Sequence, residues 1–211
     1  MISEICISFI YLLLSQKADI VGELQNRYDK IKDFKTEFKQ SYYSANGTLL
    51  MESSGNLYYK KSGMFKWEYK TPKEKEFIVK GNKLFVYLKD DSIVYVDEDF
   101  KSSQMKLVLL FLYGEGSIER EFNIDKVEEE TEFVRILLTP KESSSQVARL
   151  IIHLRKKEKN VEKLEITDRL NNRNVFYFEK IVFDTGLKES FFNFKIPDGV
   201  EVSPIPKDMF K

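Results

Sequence analysis

Apolar side chains recur at Ile20, Val21, Leu24, Tyr28 and Ile31, the three-and-four spacing of a single helix face. Glu23, Arg27, Lys30 and Lys32 fall on the opposite side. The pattern predicts an amphipathic helix over residues 19–32. Asp19 would serve as its N-cap, and Glu23 would place a favourable negative charge in the first turns. At residue 33 the period drops from 3.6 to 2. Phe34, Phe38 and Tyr42 alternate with Lys35, Glu37 and Lys39, and Asn46-Gly47 marks a tight turn, so the next strand returns antiparallel. Residues 57–59, 64–70, 77–79, 84–88 and 93–96 continue as short strands. They are separated by Lys61-Ser62-Gly63, Thr71-Pro72, Lys80-Gly81-Asn82 and Asp90-Asp91.

The rhythm breaks at residues 105–113. Leu107, Leu110 and Phe111 belong to a dense apolar run closed by Gly114, which reads as a short helix buried on more than one face. Strands resume at 133–139, 147–154, 161–167 and 175–183. Phe192, Phe194 and Ile196 alternate in a last one before Pro197. The chain has no sequence repeat and no linker. The expected architecture is a mainly β (α+β) single domain over 19–211. It holds an antiparallel sheet of about ten strands, curled into an incomplete barrel, with the N-terminal helix and the inserted short helix as its cover.

Composition narrows the function more than the fold. Apolar residues at 42% and charged residues at 32% of a 211-residue chain describe a globular protein with a real core. Thirty-four basic residues balance thirty-four acidic ones, which argues against nucleic acid as a partner. Cys6 is the only cysteine, so no internal disulfide forms. Residues 5–14 are an apolar run too short to span a bilayer and suited to a signal-peptide core. Residues 1–18 are therefore expected to be a leader and the mature chain to be exported. His153 is the only histidine, and it alternates with Ile152 and Leu154 as a structural residue would. No GxSxG, Walker, GxGxxG or HExxH motif is present, and no catalytic constellation, metal site or cofactor site assembles.

Residues 55–72, GNLYYKKSGMFKWEYKTP, hold the chain's only tryptophan. Alternation sends Phe65, Trp67 and Tyr69 to one face and Met64, Lys66, Glu68 and Lys70 to the other. In the strand before it Leu57 and Tyr59 share a face with Lys61, which falls at a rim. The inward row fits either a filled aromatic core or a cavity for a long apolar ligand.

Four segments, in order, resemble the LolA family of periplasmic outer-membrane lipoprotein carriers, across roughly residues 20–203. They are the helix and strand of residues 24–40, GNLYYKKSGMFKWEYKTP, Gly81 to Tyr87 (GNKLFVY), and residues 192–202 (FNFKIPDGVEV). The resemblance implies a helical lid over a hydrophobic cavity and no enzymatic activity. Its cargo would be acylated lipoproteins, received from an inner-membrane ABC transporter and passed to an outer-membrane acceptor by a monomer in the periplasm. It assigns Leu57, Tyr59, Phe65, Trp67, Tyr69, Phe85 and Tyr87 to the cavity. The lid and its gating go to Leu24, Tyr28, Lys61, Leu107, Leu110 and Phe111. The chain departs from the family in two places: Lys61-Ser62 stands for the usual Arg-Pro, and Tyr28 for a common leucine. A carrier of other lipids or glycolipids, and a membrane-anchored acceptor of similar fold, are the alternatives. The second would need a cysteine just after the leader, and Cys6 sits too early, at the start of the apolar run.

Overall fold

Period-2 alternation governs nearly the whole chain after its first helix. The computed structural model describes residues 20–100, 117–142, 146–206 and 209. Helix α1 covers residues 20–28 and buries Val21, Leu24 and Tyr28, with Ile31 buried just beyond it. It ends earlier than its apolar spacing suggests, because residues 29–30 turn the chain into the first strand. Asp19, the expected leader and the apolar run of residues 105–113 lie outside the described residues.

The strands are β1 (Asp33–Tyr43), β2 (Leu49–Lys60), β3 (Met64–Thr71), β4 (Lys75–Lys80), β5 (Lys83–Leu88) and β6 (Ile93–Asp97). After a one-turn helix α2 (Ile118–Glu121) come β7 (Phe122–Glu129), β8 (Phe133–Pro140), β9 (Val147–Arg155), β10 (Asn160–Asp168), β11 (Arg173–Phe183) and β12 (Glu201–Pro204). They form one sheet in the order β12-β6-β5-β4-β3-β2-β1-β11-β10-β9-β8-β7. Neighbours are antiparallel except β12, which runs parallel to β6. The sheet is open, with β12 and β7 at its ends. Twelve strands are present among the described residues, against about ten expected. The sequence reading missed β7 and the four-residue β12.

One buried cluster joins Leu84 and Val86 of β5 to Ile136 and Leu138 of β8, so the sheet curls around a shared core. A bulge between Lys35 and Glu37 helps it bend. Thr36, buried at the bulge, satisfies its hydroxyl on the Glu179 carbonyl at 2.8 Å. Gly55 is required where β2 meets β3: a Cβ there would lie 1.8 Å from the Glu68 carbonyl oxygen.

The sheet's other face is covered on the β2–β6 half by the chain after β11. Asp33, 3% exposed, launches that crossing. Its carboxylate accepts from Thr185 N at 2.6 Å, Thr185 Oγ1 at 2.7 Å, Gly186 N at 3.1 Å and Leu187 N at 3.2 Å. Phe192, Phe194 and Ile196 form no strand. A 3-10 turn, Glu189–Phe192, buries Phe192, and Phe194 packs on β5 instead. Individual rings settling into gaps of the outer face imitate alternation without pairing to anything.

Candidate functional site

Cross-strand register fixes which rings share the helix-bearing face. Phe34 pairs with Tyr59, and Tyr59 with Phe65. Leu57 pairs with Trp67, and Gly55 with Tyr69. Leu57, Tyr59, Phe65 and Trp67 are all at most 7% exposed, and Tyr69 is partly buried. Phe38 sits at their centre, edge-on to Trp67 at 5.4 Å and to Tyr69 at 5.0 Å. Phe176 of β11 closes the group, 5.3 Å from Trp67. The bare backbone of Gly55 leaves room for Phe38, whose ring carbon stands 3.0 Å from where a Cβ would be. Phe38 and Phe176 were not singled out from the sequence. Their own strands showed the alternation, but nothing in it revealed that β1 and β11 would be neighbours.

Phe85 and Tyr87 lie on the opposite face. The register carries the inner face through Val79 to Leu84 and through Phe77 to Val86, so odd-numbered residues of β5 point outward. There Phe85 and Tyr87 meet Phe194, at 5.2 and 5.9 Å. They are therefore removed from the inner row. β5 is apolar on both sides because both sides are covered, and sequence alone could not choose between them.

Helix α1 is tied over this face by several polar contacts, one of them from Ile118 N to Gln25 Oε1 at 3.1 Å. Tyr28 accepts from Val161 N at 3.2 Å, and burial pushes its hydroxyl pKa up to about 12. Arg27 donates from Nη2 to Asn160 Oδ1 at 2.8 Å and lies over the Phe183 ring. Lys159 pairs with Glu23 at 2.9 Å. Lys61 Nζ donates to the Asp29 carbonyl just past the helix, at 2.5 Å. Leu24 and Tyr28 are buried in the same core as the aromatic row. Leu107, Leu110 and Phe111, the remaining expected lid residues, lie outside the described residues.

A cavity of about 250 Å³ opens between α1 and strands β7–β9. Leu24, Val134 and Leu154 give it an apolar floor; Arg27 stands at its rim with two ion pairs, Lys159–Glu23 and Lys156–Glu129, both at 2.9 Å. No cluster of three or more metal-ligating side chains occurs among the described residues. His153 stands on the outer face, bonded to Glu165 at 2.8 Å. That contact holds the Glu165 carboxyl down at about pKa 2.

These features define a half-barrel whose inner face is aromatic and roofed by a helix. The chain belongs to the LolA family: the model of the family described as outer membrane lipoprotein carrier protein LolA matches residues 29–195. Two similar relatives are both outer-membrane lipoprotein carrier proteins. That of Hahella chejuensis is 27% identical, covering 86% of this chain and 87% of the relative. That of Nitrosomonas europaea is 26% identical, covering 93% and 94%. Among solved structures, an uncharacterized conserved protein from Thermus thermophilus matches with a TM-score of 0.54 at 10% identity, over 90% of this chain and 97% of its own. A DUF1329 family protein from Desulfovibrio piger matches at 0.50 and 15% identity, over 86% and 97%. Those two likenesses concern the fold alone.

Proposed function

We propose that the protein carries acylated lipoproteins by sheltering their acyl chains on the aromatic inner face beneath α1. The observation that carries this reading is the continuous row of Phe38, Trp67, Tyr69 and Phe176 in the same buried core as the apolar side of α1, a helix tied down by individual polar contacts. A chain of about 16 carbons exposed to water costs roughly 12 kcal/mol, so aqueous transit requires such a shelter. In this reading the protein is exported to the periplasm and receives cargo from an inner-membrane ABC transporter. It gives the cargo up to an outer-membrane acceptor and makes or breaks no covalent bond. Lys61, Leu24 and Tyr28 act in the gate, and Leu57, Tyr59, Phe65, Trp67 and Tyr69 line the shelter.

The test is mass spectrometry of lipid retained by protein recovered from a periplasmic fraction. Triacylated peptide is expected. Protein found only in the cytosol, or retaining glycolipid and no acylated peptide, would overturn the reading.

A further inference from the structure

Lys75 sits where an apolar residue would be expected. It lies on the inner face, paired in register with Tyr69 on one side and Leu88 on the other. Its Nζ stands 4.4 Å from the centre of the Tyr69 ring and 5.7 Å from that of Phe77. Its sequence neighbours do not neutralise it. Glu76 pairs with Lys66 at 3.2 Å and with Lys89 at 3.0 Å, and Glu74 pairs with Lys89 at 3.0 Å. Lys75 has no carboxylate partner among the described residues. Burial lowers its pKa, and no neighbouring charge offsets that effect. Among the described residues, the Tyr69 and Phe77 rings are the groups that face the ammonium.

Two further donors stand in the same aromatic row. Trp67 Nε1 is buried with no hydrogen-bond partner among the described residues. Tyr69, stacked on Trp67 at 6.3 Å, has its pKa raised strongly by burial and so keeps its hydroxyl proton. An unpaired buried N–H and a half-buried ammonium each cost free energy while nothing meets them. An oxygen anion brought to Lys75 would meet the ammonium, and a purely aliphatic ligand would not.

We propose that Lys75 is a head-group contact of the inner face. It would recognise a carboxylate or phosphate at the end of an acyl chain, with Trp67 Nε1 and the Tyr69 hydroxyl as supporting donors and the chain lying along the rings beyond. This rests on the carrier reading of the inner face and extends its ligands to free anionic amphiphiles, because the ester- and amide-linked acyl chains of a lipoprotein carry no free carboxylate.

Trp67 is the chain's only tryptophan, so its fluorescence reports on this site without a label. The experiment titrates full-length protein with palmitate, palmitoyl lysophosphatidate and the neutral monopalmitoylglycerol. The wild type is expected to bind at least one anionic ligand about tenfold tighter than the neutral one. Lys75→Met should remove that difference by weakening the anionic ligand alone, and Lys75→Arg should keep it. Preference for palmitate identifies the carboxylate, and preference for lysophosphatidate the phosphate. Lys75→Gln serves as a second neutral variant if Lys75→Met melts early. Equal wild-type affinities, or an equal loss of all three ligands in Lys75→Met, would mean the lysine stem merely packs on Tyr69, and the inference falls while the carrier reading stands. If the wild type bound none of the three, the inference would fall, while the carrier reading would still be decided by the lipid recovered with the periplasmic protein.

Discussion

Lys61 is a cation placed at the end of a helix, where carbonyl groups lack internal partners and the dipole favours positive charge. Its single bond to the Asp29 carbonyl makes it a latch on α1. Replacing it with methionine should raise the exchange rates of the α1 amides roughly two- to tenfold, the equivalent of losing one such bond. Lys61→Arg should leave them slow. Unchanged rates in Lys61→Met would show that the other contacts hold the helix alone. Glu165 offers a second test at this scale, away from the inner face. Its folded pKa of about 2 lies below the ordinary carboxylate value of roughly 4.3. The unfolded chain therefore takes up the proton first as pH falls. The stabilisation is complete above that ordinary value and is lost as pH descends towards 2. Between pH 5 and pH 2.5 the denaturation midpoint of the wild type should fall more than that of Glu165→Gln. Parallel curves would show that the contacts of Glu165 with His153 and Lys163 contribute nothing.

At the scale of elements, strand β2 depends on one residue lacking a side chain. Gly55→Ala would drive a methyl into the Glu68 backbone and against Phe38. Neither atom is the end of a flexible chain, so the strands must part. The expected loss is about 2–4 kcal/mol in urea denaturation. A loss under ~0.5 kcal/mol would mean the β2–β3 contact is looser than its register implies. The same strands show what was legible in advance. Phe65, Trp67 and Tyr69 were sorted correctly to one face because Lys66, Glu68 and Lys70 mark the other side as polar. β5 carried no such mark: Leu84, Val86 and Leu88 fill one side while Phe85 and Tyr87 fill the other. Its outer cover comes from Phe194, more than a hundred residues later. Local period cannot report a contact of that range. Lys75 escaped notice for the opposite reason, since a lysine at a strand's first residue reads as an ordinary solvated end.

At the scale of the whole molecule, the described residues leave the inner face little open space. Leu57, Tyr59, Phe65 and Trp67 are already buried, and the cavity of about 250 Å³ is small beside the roughly 300–1,000 Å³ of ordinary ligand sites. An acyl chain can reach the row only if part of the cover moves. α1 is the element most easily spared. Burying Val21, Leu24 and Tyr28 contributes roughly 5–9 kcal/mol, and polar contacts of Glu23, Gln25, Arg27 and Tyr28 about 4 more. Ordering its nine residues costs roughly 9–18 kcal/mol, so the two sides nearly cancel. Strands β1 and β2, paired on both edges along most of their length, have no comparable freedom. Acyl ligand should therefore speed amide exchange over residues 20–28 while leaving β1 and β2 protected. A lid that clamps down on its cargo would give the reverse, slower exchange in α1 on binding, and that result would exclude α1 as the door.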